Sequence, residues 1–178
     1  MQQLSTALKE DFPNVLPLPI GILFSKNEFE QVFVTQAHIT LAVKDSPDYA
    51  KLERIAQKIF DCLLLDVQAV VSYDLIGLMP ASGSASESSF SFINPEKDSA
   101  IKSISSINAV GLRFFYEFDS LKGEFKVEPF VRDPSQYFLQ LILGTQTTIA
   151  LHEVFERFDV VYHDFVGRLA GLASAITH

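Results

Sequence analysis

The chain has 178 residues, 48% apolar and 20% charged, which fits one globular domain with a substantial core and excludes a disordered chain. Its formal net charge is −8, and the nearest approach to a basic cluster, Arg113, Lys122, Lys126 and Arg132, is interleaved with Glu117, Glu124 and Glu128. Without a basic cluster to release counterions, nucleic acid and anionic membrane are excluded as partners at this stage.

In chain order, residues 2–10 form a short helix stopped by Asp11-Phe12-Pro13. VLPLPIGILF reads as extended. Pro17 and Pro19 lie two apart, so both missing donors fall on one side of a strand, which suits a sheet edge. FEQVFVTQAHITLAV follows with Phe29, Phe33, Ala37, Ile39, Leu41 and Val43 at odd positions, a strand pair or one long bent strand, with His38 and Thr40 on the opposite face. Ser46-Pro47 supplies a capping hydroxyl and a proline at the first helical position, opening a helix over 47–64. Its apolar stripe is Leu52, Ile55, Ala56, Ile59, Cys62 and Leu63. Cys62 is the one cysteine, so the chain has no internal disulfide and no thiolate metal site, and its place in the stripe makes it a packing residue.

DVQAVVSYDLIGLM returns to strand, with Val67, Ala69, Val71, Tyr73 and Leu75 on one face. Residues 80–89, PASGSASESS, read as a mobile Ser-rich loop. Neither Ser84 nor Ser86 sits in the Gly-x-Ser-x-Gly turn a nucleophile elbow requires. NAVGLRFFYEFD is a strand whose apolar row is Val110, Leu112, Phe114, Tyr116 and Phe118. A turn at Lys122-Gly123 leads back through Phe125, Val127, Pro129 and Val131, setting Glu117 or Asp119 near Lys126. Pairing even positions with odd ones joins the two apolar rows on one face. Asp133-Pro134-Ser135-Gln136 resembles a capped helix start with Gly144 as its stop, so 134–143 is read as helix. The alternative is a buried strand, because YFLQLIL is short and almost wholly apolar.

The last element, a helix over 148–174, holds the clearest periodicity. Leu151, Phe155, Phe158, Tyr162, Phe165, Leu169 and Leu172 recur in alternating steps of four and three, a seam along one partner. Val154 and Val161 widen it, as in a helix packed on a sheet. His152, Glu156, Asp159 and His163 form a column away from the seam, and Glu153–Arg157 and Asp164–Arg168 are acid-before-base pairs four apart. The column raises the question of a metal. One straight helix cannot wrap a tetrahedral ion over three turns, and the zinc-protease pattern fails because Glu156 stands where its second histidine belongs. A solvated helix flank is the expected role, with a metal shared between two copies as the surviving alternative. No catalytic, cofactor-binding or metal-binding residue is assigned.

The element order predicts an α+β single domain over 1–178: a twisted, mainly antiparallel sheet of about five to seven strands with two main helices on one face. The N-terminal MQQLSTALKEDFP lacks the order of a signal peptide, and no apolar run approaches the roughly 20 residues of a membrane helix, so a cytoplasmic location is expected. With no catalytic motif, no cofactor is expected. The expected function is a non-enzymatic protein-interaction or assembly domain, self-association included. The alternative is a carrier of a small apolar ligand in a cavity between helix and sheet, suggested by the 16 Phe residues.

Overall fold

The computed structural model describes residues 2–65, 68–93, 101 and 107–177, and these form an α+β fold with antiparallel sheets. The strands make sheets of four, two and four members rather than one sheet of five to seven. The chain divides into two compact units, Met1–Ala69 with Ile149–Arg157, and Val70–Thr148 with Phe158–His178. Among the described residues no helix is long and apolar enough to cross a membrane.

The first unit opens with helix α1 (Gln2–Leu8), followed by the antiparallel sheet β1 (Asn14–Leu18), β2 (Gly21–Ser25), β3 (Gln31–Thr35) and β4 (Ile39–Ala42), paired in that order. Helix α2 (Tyr49–Leu63) comes next. Its cap is Asp48, whose side chain accepts the Lys51 N–H, so the helix begins two residues after the predicted Ser46-Pro47 start. Leu64 in the left-handed conformation ends it. Leu4, Leu8 and Phe12 pack with Ile55 and Ile59 of α2 against Ile22, Phe24, Val32 and Val34 of the sheet, and Cys62 is partly buried against the same cluster. This unit is completed by the short pair β5 (Gln68–Ala69) and β10 (Ile149–Ala150).

In the second unit the sheet order is β6 (Ser72–Pro80), β9 (Gln136–Gly144), β8 (Leu121–Pro129), β7 (Leu112–Phe118). Residues 134–143 are therefore strand, not helix. Asp133 does cap, but it caps a turn: its carboxylate takes the backbone N–H and hydroxyl of Ser135. YFLQLIL then follows period two, burying Tyr137, Leu139, Leu141 and Leu143 between two neighbours. The β7–β8 turn falls at Asp119-Ser120, both with positive φ as a two-residue hairpin turn requires, and not at Lys122-Gly123. Glu117 accordingly faces Lys122, while Lys126 reaches Glu124 and not Asp119. Even positions pair with odd ones as expected, Phe114 with Phe125 and Leu112 with Val127.

The stretch expected as a loop over 80–89 is partly helical, with α3 (Ala85–Ser88) capped by Ser84 and continued by a 3₁₀ turn, Ser89–Phe92. Burial of Ala85, Ser89 and Phe90 gives this segment the anchoring its composition did not suggest. The predicted strand with Val67, Ala69 and Val71 is interrupted: Val67 lies outside the described residues, Ala69 belongs to β5, and β6 begins at Ser72. Helix α4 (Leu151–Thr177) ends the chain, three residues later than predicted at its start. Within the second unit it lies on the buried face of the sheet, where Phe165 meets the edge of Phe125 and Phe158 stacks on Tyr73. Gly77 makes room for it. A Cβ there would stand 3.3 Å from Leu169 and 3.5 Å from Phe165.

Candidate functional site

The histidine column has a local explanation. His163 Nδ1 lies 2.8 Å from the Asp159 carbonyl oxygen and 3.2 Å from its carboxylate, while His152 and Glu156 are exposed. Among the described residues no group of three or more His, Cys, Asp or Glu side chains is arranged to hold a metal. The neighbouring pair does more than the sequence suggested. Asp164 and Arg168 bond at 2.8 Å, and both also bond the hydroxyl of Tyr116 on β7. Ser84 is engaged as a helix cap, and Ser89 Oγ donates to the Ser86 carbonyl while accepting the Val110 N–H.

A groove of about 380 Å³ lies in the first unit between α2 and the β3–β4 strands. Its floor includes Phe12, Val32, Leu52 and Ile55, and its rim carries Glu30, Lys44, Asp45, Asp48 and Lys51. Lys51 and Lys26 both bond Glu30, at 2.7 and 3.2 Å, and Lys51 first and then Lys26 hold its carboxyl below the usual range. The Lys44 ammonium stands 4.2 Å from the centre of the Phe29 ring.

The outer face of the β1–β4 sheet is an uncharged surface. Ile22, Phe24, Val32 and Val34 point into the core, and by the register Leu41 and Ile39 join them. The opposite face therefore carries Leu16 and Leu18 from β1, Leu23 from β2 and Phe33 from β3, with Asn14, Gly21, Ser25, Gln31, Thr35, Thr40 and Ala42 between them. None of these eleven positions bears a formal charge. Leu16 is 54% and Leu18 37% exposed, and Ile20 at the turn is 71% exposed. Strand β1 is exposed along its whole length although four of its five residues are apolar. Burying such side chains is worth roughly 25 cal/mol per Å².

The outer face of the sheet in the second unit is mixed in character. Ile76 and Leu78 of edge strand β6 are also exposed, on the same face as Phe138 and Ile142. Here Asp74, Lys122, Glu124 and Lys126 share the face, so it is only half apolar.

Sequence reasoning missed the uncharged face because it placed Phe33 in one odd-numbered row with Ile39 and Leu41. The turn closed by Thr35 and His38 switches the parity: Val32 pairs with Leu41 and Val34 with Ile39, leaving Phe33 on the other side. The available signal was Val32 and Val34, an even-numbered apolar pair within the same strand. Comparison of the chain with known protein families, with curated proteins and with solved structures gave no match.

Proposed function

We propose that this chain is a non-enzymatic protein-interaction domain that binds through the outer face of β1–β4. The observation that carries this reading is the uncharged face itself, edged by a mostly apolar strand exposed at each residue, in a chain of net charge −8. The centre of a protein interface is depleted of charge and enriched in apolar and aromatic side chains, which is the character of this face. A cytoplasmic location belongs to the same reading and rests on the use of a single cysteine.

The heptad seam of α4 is a poorer candidate. Leu151, Phe155 and Phe165 are buried, and Phe158 and Tyr162 are half-buried.

The test is a photo-reactive phenylalanine analogue placed at Leu18, with a control at Glu156 on α4. A discrete adduct formed in a cell extract at the first position and not at the second is the expected result. Equal labelling at both positions, or none, removes the reading.

A second reading, a carrier of a small apolar ligand, is supported by the groove under α2, which has the volume of a small ligand site. Its charged rim makes it the weaker of the two. Native mass spectrometry of the untagged protein tests it, since a bound carrier would hold an organic adduct.

A further inference from the structure

We infer that the outer face of β1–β4 is covered by the same face of a second copy, the two sheets stacking about a two-fold axis. This rests on the reading of that face as an interaction surface and names its partner.

Electrostatics opposes self-pairing least at this face. Two chains of net charge −8 repel one another over most of their surfaces, whereas this face sets no carboxylate against a carboxylate. A two-fold contact needs a self-complementary patch, and a face of Leu16, Leu18, Leu23 and Phe33 among small polar residues meets its own kind without leaving a charge unpaired. The Phe33 ring reaches toward Gly21, whose missing Cβ would stand 3.2 Å from it, and sheets that stack face to face lie about 10 Å apart.

The competing mode, adding a strand to the free edge of β1, is disfavoured by Pro17. The two-residue turn Pro19-Ile20 makes Leu18 and Gly21 the first bonded pair, so the outward backbone groups belong to Val15 and Pro17. Pro17 has no N–H to give a new strand, a common device against edge pairing.

Size places the contact among the small ones. Four strands spaced about 4.8 Å apart and about 17 Å long give a footprint of roughly 300 Å² per copy. Side-chain relief and the Ile20 tip bring the total buried by two copies to roughly 1,000 Å², the size class of weak, transient contacts.

The experiment is sedimentation equilibrium of the full chain from micromolar to submillimolar concentration, in low salt and in 1 M NaCl. The average mass is expected to rise from one chain toward two, and the rise is expected to be stronger in high salt because screening removes the general repulsion without touching an apolar contact. Leu16→Lys with Leu18→Lys is expected to remain monomeric throughout. Should that pair fail to fold, Thr40→Glu, on an already exposed position of the same face, is expected to weaken association at least tenfold.

A wild-type chain that stays monomeric overturns the inference, as does dimerisation that salt abolishes or that these variants leave unchanged. The photo-reactive Leu18 chain separates the two levels. An adduct of another mass in extract, with none of twice the chain mass in pure protein, overturns the second-copy inference and leaves the interaction surface standing. No adduct in either sample removes both.

Discussion

The hydroxyl of Tyr116 donates a 2.9 Å hydrogen bond to the carboxylate of Asp164, tying edge strand β7 to helix α4. Burial, and then the bond to Asp164, push the phenol above its ordinary value. A group whose folded pKa is raised stabilises the fold fully below its unfolded value of about 10 and loses that contribution as pH rises through the folded value. Stability toward urea is therefore expected to fall above about pH 10 in the wild type, and to fall less steeply in Tyr116→Phe. At neutral pH the same variant is expected to cost about 1 kcal/mol, because Asp164 and Arg168 keep each other.

At the other end of the chain, Asp11 bonds Lys58 of α2 at 2.8 Å and lies 3.4 Å from Arg54. The Lys58 bond above all holds this carboxyl below the usual range, against a smaller opposing effect of burial. Its contribution is complete above the unfolded value of about 3.9 and disappears as pH falls through the lower folded value. Asp11→Asn is expected to cost about 1 kcal/mol at pH 7. The difference between it and the wild type should close as pH falls below the ordinary carboxylate range, which denaturation at a series of pH values will show.

Gly77 is required by the helix above it, not by its backbone angles. Gly77→Val places two methyl groups where Leu169 and Phe165 already stand, with an expected cost of about 1–3 kcal/mol. Far-ultraviolet circular dichroism should change little while the thermal midpoint drops.

Phe165 is 3% exposed against Phe125, and its neighbour in sequence, Val166, faces outward. Phe165→Ala is expected to destabilise by about 3–5 kcal/mol, and Val166→Ala by less than about 0.5 kcal/mol. Urea unfolding of both variants measures the contrast. A large loss at Val166 would mean that the outer side of α4 is also packed.

Much of this architecture was legible in local pattern. The seam of α4, the stripe of α2, the row of β7 and the edge character marked by Pro17 each follow from a period or a constraint within a few residues. What the sequence concealed depended on partners distant in the chain. Gln136–Gly144 carries a convincing helix-start signal, yet it lies between β6 and β8, and two sets of ladder bonds outweigh a cap. The β7–β8 turn passed over the glycine because Asp119 and Ser120 accept the left-handed region themselves. Gly123 sits within β8, where a Cβ would collide with the carbonyl of Ile142 on the next strand. The uncharged face was hidden by a parity switch at one turn, which no single-strand period records.

The pairing of β5 with β10 joins Ala69 to Ile149 and Gln68 to Ala150, and residues 70–148 lie between them. A ribosome therefore completes the whole intervening sheet before it delivers the last strand of the first unit and the first turns of α4. Until then a nascent chain holds α1, β1–β4 and α2 without their closing segment. A chain stopped after residue 148 would lack not a tail but part of its opening unit, including the buried Leu151, Val154 and Phe155. Tolerance to shortening should thus be no guide to where this protein begins to fold.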